Sequence, residues 1–455
     1  MNNILFIAYE FPPLNSGGVF RSLFFAKYFN DFNIKPFIVT LAPYDYKKIY
    51  RPVTTDKNLL FNIQNKNVDI IGVKSKDLLS KNKNKLKTFL DIFFNTTGSR
   101  EYKYWKKDFF FKVSKIIANN KIDAILVTAP PFGVLFQAIK ISKRFNLPLI
   151  IDMRDAWTLW NITPYQSVWH YKKRLQKERT VFKAANKIIV TSKQTISDFK
   201  LLHTNISPDK FAYIPNGYDD VVDFKPFSVN LSQKEKIIIT YVGNFYYSPK
   251  ARKEMFASNK EKKTYKKLQF LPRKEDWLYR SPYFFFSTIK KIFDTFPEIR
   301  NRIIIKFAGT VHNWLIEMIA DFNLEKTVTL MGFVNKEQTK ELQQSTDLLL
   351  ITSSKVLNGK DYSIAGKTFE YFSFQKPILS FVTDGAQKDI IENSGLGVIC
   401  NPDNIDESSN IILSLISKKT SFNPNKEFLR TLHRRKLTEK LSEIIKQSIF
   451  NNNER

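Results

Sequence analysis

The chain of 455 residues contains 43% hydrophobic and 15% aromatic residues, which is enough for packed cores in about two to three domains and excludes global disorder. Its formal net charge is +29, and its single cysteine, Cys400, excludes an internal disulfide and a cysteine-ligated zinc site. No apolar run reaches the roughly 20 residues that cross a bilayer, and the N-terminus lacks a signal-peptide pattern, so we expect a cytoplasmic protein.

The first half of the chain alternates short apolar runs with helical patterns. Most of these runs are apolar throughout, as in parallel strands that are buried on both faces. The alternation therefore predicts a doubly wound α/β domain over residues 1–220. The predicted strands are 4–9, 37–41, 69–71, 122–127, 148–152, 187–191 and 211–215.

Two glycines, Gly17 and Gly18, follow the first predicted strand in the sequence FPPLNSGGVFR and open a helical pattern. Ligands of open α/β sheets bind beyond the carboxyl ends of the strands. Glycine lets the backbone approach a ligand closely, and the amides of a helix N-terminus suit a phosphate or a sugar hydroxyl. The alternative is a glycine turn that only starts the helix.

A basic stretch runs from Lys74 to Lys107 and contains ten basic and three acidic residues, interleaved with apolar ones. This pattern suits peripheral contact with the inner face of a cell membrane or with a lipid-linked acceptor. An ordinary solvated helix over the core is an equally good interpretation. The chain has no zinc-finger or RNA-recognition signature, so we expect no nucleic-acid partner.

The strand pattern restarts in the second half. Turn residues in IPNGYDD, 214–220, end the first domain, and further strands are predicted at KIIITYVGN, 302–308, 327–330, 348–352, 378–382 and 397–400. We therefore predict a second α/β domain over residues 221–424 and a basic helical tail over 425–455.

An insert of about 246–279 interrupts the second predicted domain and is longer than such a connection usually is. It is interpreted as a lid, an extra surface or a tolerated excursion. The next helix is predicted to have Ser281 as its N-cap and Pro282 as its first residue.

The sequence GKDYSIAGKTFEYFSFQKPIL also follows a predicted strand. Ser363 to Gly366 are predicted to form a helix entrance whose amides could hold a phosphate, with Lys367 just beyond. Glu370 lies one turn later, where a carboxylate could accept two ribose hydroxyls. The alternative is a surface Lys–Glu pair on an amphipathic helix.

Six motifs occur in the order in which they are found in glycosyltransferases of family four, and the chain resembles that family over nearly its whole length. They are FPPLNSGGVFR, DMRDAW, IPNGYDD, YVGN, GFVNKEQ and GKTFEYFSFQKPIL. The resemblance implies two Rossmann-like doubly wound domains facing across a cleft, the GT-B type. It also implies a retaining, metal-independent enzyme that uses a nucleotide-sugar donor.

The resemblance implies roles for both glycine-containing motifs. Gly17 and Gly18 match the loop that faces the donor phosphate and the reacting sugar. Glu370 matches the second glutamate of a paired motif and would hold the ribose. The first glutamate belongs eight residues earlier, where this chain has Tyr362 next to Asp361. This departure leaves the donor sugar undefined.

The family also places an arginine and a lysine after the first strand of the second domain, to neutralise the diphosphate. The arginine position is Asn244 here, and Arg280 is the best equivalent of the lysine, with Lys250 and Arg252 as rivals. Without a metal, side chains must carry the charge that develops on the leaving phosphate.

Two further loops have implied roles. Phe333 and Val334 match the loop that frames the nucleobase. DMRDAW lies where relatives place a residue beside the reacting sugar, so Asp155 or Asp152 could orient the acceptor hydroxyl. Arg154 could pair with either carboxylate or contact phosphate. An internal Asp–Arg pair that caps the strand end is the alternative.

The resemblance predicts a glycosyltransferase that moves a sugar from a UDP- or GDP-sugar to a polysaccharide or lipid-linked saccharide acceptor, without a cofactor. Two alternatives are a nucleotide-sugar epimerase of the same fold and a non-catalytic scaffold that binds a membrane or a partner.

Overall fold

The computed structural model describes residues 1–48, 54–75, 102–159, 164–258, 260 and 266–454. Most of the basic stretch from Lys74 to Lys107 lies outside these residues. The chain divides into two compact units. Unit 1 contains Met1–Asn216, Leu268–Pro272 and Arg434–Arg455, and unit 2 contains Gly217–Lys267 and Arg273–His433.

The predicted strands of both halves are present, with ends that differ from the predicted ones by at most three residues. In chain order the principal strands are β1 (Asn2–Ile7), β2 (Ile34–Leu41), β3 (Asp69–Val73), β4 (Ala124–Ala129), β5 (Leu149–Met153), β6 (Lys187–Val190), β7 (Phe211–Tyr213), β8 (Phe227–Asn230), β9 (Ile237–Val242), β10 (Glu275–Asp276), β11 (Ile303–Ala308), β12 (Val328–Gly332), β13 (Leu348–Thr352), β14 (Lys355–Val356), β15 (Ile378–Phe381), β16 (Gly397–Cys400) and β17 (Lys419–Phe422).

Helices connect most of these strands. They are α1 (Gly17–Tyr28), α2 (Tyr102–Asn119), α3 (Val134–Phe145), α4 (Val168–Ala184), α5 (Lys193–Leu202), α6 (Pro249–Phe256), α7 (Tyr283–Thr295), α8 (Asn313–Asp321), α9 (Lys336–Ser345), α10 (Gly366–Phe372), α11 (Ala386–Ser394), α12 (Ile405–Ser417), α13 (Lys426–Thr431) and α14 (Arg434–Asn453). None of the helices in the described part of the chain combines the length and the apolarity that a membrane crossing needs.

Unit 1 is built on a seven-stranded parallel sheet with the order β3-β2-β1-β4-β5-β6-β7. Ile4 of β1 pairs with Pro36 of β2 on one side and with Ala124 of β4 on the other. Both β4 and β5 are buried along their whole length, as expected for strands covered by helices on both faces. The carboxyl ends of β1, β4 and β5 therefore lie side by side at one edge.

The C-terminal helix α14 belongs to the core of unit 1 and does not form a separate tail, in contrast to the predicted division at residue 425. Leu437, Leu441, Ile445 and Ile449 recur every four residues, which places them on one face of the helix. All four side chains are buried, and they share a hydrophobic cluster with Ile4 and other residues of the sheet. The basic residues that dominated the sequence pattern lie between these apolar positions.

Unit 2 is built on a six-stranded parallel sheet with the order β12-β11-β9-β13-β15-β16. Phe286 and Phe293 of α7 are buried against it. This helix begins at Tyr283, so Pro282 takes the cap position that was predicted for Ser281. Ser281 still contributes, because its hydroxyl accepts a hydrogen bond of 3.2 Å from the Tyr283 amide.

The described part of the insert contains α6 and the short strand β10. β10 pairs antiparallel with β14, so Glu275 lies opposite Val356 and Asp276 opposite Lys355. A 3-10 turn, Trp277–Arg280, then leads into α7. The end of the insert is therefore an integral part of unit 2.

Candidate functional site

The loops after β9, β11 and β12 are tied together at the carboxyl edge of the sheet in unit 2. The Gly243 amide donates to the Ala308 carbonyl over 2.7 Å, and the Gly309 amide donates to the Gly332 carbonyl over 2.8 Å. Gly309 has φ +152°, and a Cβ there would collide with the backbone of Gly243, so only glycine fits. These loops form a fixed backbone edge.

Asn244, predicted to bind the donor, has a structural contact at this edge. Its side-chain oxygen accepts a hydrogen bond of 2.8 Å from the Thr310 amide. The side chain therefore links the loop after β9 to the loop after β11. It carries no positive charge, unlike the arginine that the resemblance implies at this position.

Lys367 is half-buried at the same edge, with its terminal nitrogen fully buried. Its Nζ lies 3.5 Å from the centroid of the Tyr241 ring and has no hydrogen-bond partner among the described residues. Burial lowers the pKa of Lys367 to about 7, and the nearby Glu370 carboxylate partly opposes this shift. Glu370 is exposed, whereas Nζ of Lys367 is buried over an aromatic ring, so this ammonium group does not lie at the surface as the alternative interpretation required.

Arg280 is the second cation of this edge, and it lies at the end of the 3-10 turn. Its Nη2 donates to the hydroxyls of Ser363, at 3.2 Å, and Ser354, at 3.4 Å. Burial raises the pKa of Tyr241 well above its ordinary value, and the charge of nearby Arg280 opposes that rise. Lys367 therefore contacts the Tyr241 ring, and the charge of Arg280 acts on the hydroxyl of the same residue.

The two rivals of Arg280 are placed differently. The guanidinium of Arg252 binds Asp276 through two hydrogen bonds of 2.7 and 2.8 Å, so its charge is already paired. Lys250 is exposed on α6. Of the three residues, only Arg280 contacts the loop that precedes α10.

The loop before α10 is organised by Asp361. Its Oδ1 accepts hydrogen bonds from the amide and the hydroxyl of Ser363, over 3.0 and 2.9 Å. Burial raises the pKa of Asp361, against the lowering effect of the nearby Arg280 charge. The N-cap of α10 is Ala365, so Ser363 lies in the loop before the helix. Nothing lies within 4 Å of a Cβ built on Gly366, so packing does not require glycine there.

Tyr362 is buried and bound to a carboxylate that the sequence did not identify. Its hydroxyl donates a hydrogen bond of 3.0 Å to Oε1 of Glu275, which comes from the insert. The two residues are 87 positions apart, and no motif joins them. The only sequence signal was the position of Glu275 just before the candidate Arg280.

Phe333 and Val334 follow β12 at the same edge. The Phe333 side chain is 93% exposed, which is unusual for a large aromatic ring and leaves its face open for stacking. Val334 is half-buried, and Asn335 caps the following helix α9. The cap fixes the backbone that carries the exposed ring.

In unit 1, the position of Arg154 explains why residue 18 is a glycine. Its guanidinium donates to the carbonyls of Gly18 and Pro130, and a Cβ on Gly18 would collide with it. Nothing lies within 4 Å of a Cβ built on Gly17. Arg154 therefore binds one backbone carbonyl in the first turn of α1 and one in the loop after β4. The predicted pairing of Arg154 with a neighbouring aspartate is not present as a hydrogen bond among the described residues.

The two aspartates of DMRDAW differ in their surroundings. Asp152 is buried and its carboxylate accepts hydrogen bonds of 2.8 to 3.0 Å from Arg21 and of 3.1 Å from Thr128. Asp155 is half-buried and makes no hydrogen bond to the part of the chain that the structure describes. Burial raises the pKa of Asp155, with the Arg154 charge opposing the rise. Asp155 is therefore the one available to a ligand.

Arg21 was not identified as a site residue from the sequence. It lies in α1, and besides Asp152 it donates to the carbonyls of Ile214 and Pro215, over 2.9 and 2.8 Å. The pair is buried, with 6% of the Arg21 side chain and 1% of the Asp152 side chain exposed. This pair holds α1 and the end of β5 together beneath the candidate residues.

Solved structures with the same fold cover almost the entire chain. They include sucrose-phosphate synthase from Thermosynechococcus elongatus (13% identity, TM-score 0.52, 98% of this chain and 97% of that one). A TarM variant from S. aureus has 14% identity, TM-score 0.53 and 99% coverage of both chains. Trehalose 6-phosphate synthase from Burkholderia multivorans has 9% identity, TM-score 0.56, and coverage of 98% of this chain and 99% of that one. No curated protein sequence matches the chain.

Two family models match the sequence itself. The model described as Glycosyltransferase Family 4 matches residues 64–221, and the model described as Glycosyl transferases group 1 matches residues 286–430. Together they cover about two thirds of the chain. The predicted family and the predicted GT-B fold class are therefore confirmed. The chain is a glycosyltransferase of the family-four type, with the two-domain α/β fold of GT-B enzymes.

Proposed function

We propose that this glycosyltransferase moves a sugar from a UDP- or GDP-sugar, with retention of configuration, to a polysaccharide or lipid-linked saccharide acceptor. The observation that carries the proposal is the presence of two basic residues, Arg280 and Lys367, at the carboxyl edge of unit 2, where Lys367 contacts the Tyr241 ring and Arg280 donates to Ser363. A nucleoside diphosphate is an anionic leaving group with an aromatic base, and this edge offers cations together with the exposed ring of Phe333.

The donor-binding roles follow from chemistry. Arg280 and Lys367 neutralise the diphosphate, and the hydroxyl of Ser363 orients Arg280. Phe333 and the Val334 backbone hold the base. The exposed carboxylate of Glu370 accepts the ribose hydroxyls. A TarM variant with the same fold has been solved with UDP and alpha-GlcNAc-glycerol, which supports a nucleotide-sugar donor for this chain.

The acceptor roles belong to unit 1. Asp155 orients the acceptor hydroxyl, because it is the carboxylate of DMRDAW without a protein hydrogen bond among the described residues. Arg154 shapes the loops at this edge, and the open backbone at Gly17 leaves room for a sugar. The sugar transfers on the face from which the phosphate leaves. The departing phosphate, stabilised by its cations, then helps to take the acceptor proton.

The proposal is tested with a panel of nucleotides and nucleotide-sugars. We expect the melting temperature to rise with micromolar UDP or GDP, and nucleotide release to depend on added saccharide acceptor. Glu370→Ala should weaken nucleotide binding, whereas the Glu337→Ala control on exposed α9 should not. Turnover of the donor without an acceptor would instead indicate an epimerase. Absence of any stabilisation by nucleotides would indicate a scaffold.

Phe333→Ala should weaken nucleotide binding by about tenfold, because stacking of a base on an aromatic ring contributes about 1–3 kcal/mol. The ring is almost fully exposed, so the melting temperature of the free protein should not change. Isothermal titration calorimetry with UDP and GDP measures the loss. Phe333→Tyr is the matched control and should bind as the wild type does. Equal affinities of the alanine variant and the wild type would remove Phe333 from the site.

Nucleotide binding should take up a proton at pH 8. At that pH most of the Lys367 side chain is neutral in the free protein, because its pKa is about 7. A diphosphate favours the charged form, so affinity should fall by up to about tenfold per pH unit as the pH rises above 7. Calorimetry in buffers of different ionisation enthalpy measures this uptake.

The control for this proton uptake is a pair of lysine variants. Lys367→Met should bind without taking up a proton, whereas Lys340→Met on exposed α9 should behave as the wild type. Protonation of the nucleotide itself has the opposite pH dependence, since the more anionic form binds better at high pH. Proton uptake that survives in Lys367→Met would contradict the assignment.

A further inference from the structure

The insert places a carboxylate in the interior of unit 2. Glu275 is 5% exposed and lies in β10, which pairs with β14. A buried carboxylate is costly unless charges and hydrogen bonds compensate for its lost hydration. The groups that compensate for Glu275 therefore indicate why the carboxylate is there.

Each partner of Glu275 also borders Arg280 or the loop before α10. Oε1 accepts from the Tyr362 hydroxyl over 3.0 Å, and Oε2 accepts from the Trp277 indole over 3.2 Å. Nη2 of Arg280 lies 3.9 Å from Oε2, and Nη2 of Arg273 lies 3.9 Å from Oε1. The guanidinium of Arg280 is itself 5.6 Å from the centroid of the Trp277 ring.

The hydrogen bonds of the Arg280 guanidinium go to neutral groups. Its hydrogen bonds to Ser363 and Ser354 are long, at 3.2 and 3.4 Å, and both partners are neutral hydroxyls. Asp361 also acts on Arg280 through its charge, but the hydrogen bonds that its Oδ1 accepts come from Ser363 and Ser354, and it makes no ion-pair contact with Arg280 among the described residues. Glu275 is the carboxylate with a direct ion-pair contact to Arg280 among the described residues.

We infer that Glu275 is a positioning residue that fixes the guanidinium of Arg280 beside Ser363, ready for the leaving phosphate. The inference rests on the proposed function. It assigns β10, at the end of the insert, a role in positioning a residue of the donor site. Two hydrogen bonds, donated by Tyr362 and Trp277, orient the Glu275 carboxylate. The negative charge of this carboxylate then holds the Arg280 guanidinium in place.

The experiment uses Glu275→Gln in the full-length chain. The amide retains an oxygen that can accept from Tyr362 but loses the negative charge. We expect kcat of transfer to fall by about 10-fold, as for other directly coupled neighbours. The Kd for UDP or GDP should change by less than about threefold, since Arg280 is still present. In an Arg280→Ala background, Glu275→Gln should have no further effect on kcat.

Asp276→Asn is the matched control. Asp276 is the other residue of the same short strand, and its replacement changes the net charge equally, but it pairs with Arg252, and asparagine keeps the oxygen that accepts from the Leu278 amide. Its kcat should equal that of the wild type. If Glu275→Gln does not fold, Tyr362→Phe replaces it, because the phenyl ring keeps the volume and removes only the hydrogen bond. That variant should lower kcat by about threefold, again only when Arg280 is present.

The outcomes separate the inference from the proposed function. If Arg280→Ala transfers as the wild type does, the assignment of the donor site itself fails. If Arg280→Ala is impaired but Glu275→Gln is not, only the positioning role fails. Independent losses that multiply in the double variant, or a loss in Asp276→Asn as large as in Glu275→Gln, would show that Glu275 supports the fold without acting on Arg280.

Discussion

Replacing Arg280 by alanine should lower kcat/KM for sugar transfer by about 10²- to 10³-fold. The charge on the leaving diphosphate grows during the reaction, and a fixed cation in a partly water-excluded site stabilises it more than it stabilises the bound substrate. About one fifth of the Arg280 side chain is exposed, so the guanidinium is accessible yet held by neighbouring groups. Steady-state kinetics with acceptor-dependent nucleotide release measure the loss.

Two further variants show whether this loss comes from the charge at that position. Arg252→Ala removes a half-exposed cation that is paired with Asp276 and makes no hydrogen bond to Ser363 or Ser354, so transfer should fall less than about threefold. Arg280→Lys keeps the charge but loses the planar guanidinium, whose Nη2 donates to both Ser363 and Ser354. This variant should recover only part of the rate. A rate for Arg280→Ala within threefold of the wild type would refute the role.

The fold could be predicted from the sequence because each strand can be recognised from the residues of its own short segment. Parallel strands that are buried on both faces appear as continuous apolar runs, and β4, β5 and β13 fit this description closely. The turn at IPNGYDD and the capped entrance to α7 also depend on neighbouring residues. These signals need no knowledge of distant contacts.

The candidate site was only partly predictable, because its key contacts join distant residues. Glu275 meets Tyr362 across 87 positions, and Arg21 meets Asp152 across 131. A periodicity or a motif does not encode such pairs. Gly18 shows the same limit. The sequence suggested that a glycine is needed there for the close approach of a ligand, whereas the guanidinium of Arg154 occupies the space that a Cβ would take.

The helix α14 was misjudged for a related reason. Its basic residues dominate the sequence pattern, and they led to the prediction of a separate basic helical tail over residues 425–455. Its apolar residues nevertheless recur every four positions, and only the structure shows that they are covered by the core of unit 1. A helical stripe indicates burial but does not identify the surface that covers it.

Arg21→Met should destabilise unit 1 by about 3–5 kcal/mol, which is the usual cost of leaving one partner of a buried ion pair without compensation. The variant leaves the Asp152 carboxylate buried, with the Thr128 hydroxyl as its remaining hydrogen-bond donor among the described residues. It also removes the donors to the Ile214 and Pro215 carbonyls. Urea denaturation followed by circular dichroism measures the loss.

The companion variant distinguishes lost charge pairing from lost packing. Arg21→Met/Asp152→Asn removes the uncompensated charge, so it should regain a large part of the lost free energy of unfolding. If the double variant is no more stable than Arg21→Met, the loss comes from the packing of α1 and the two freed carbonyls, and the ion pair contributes little.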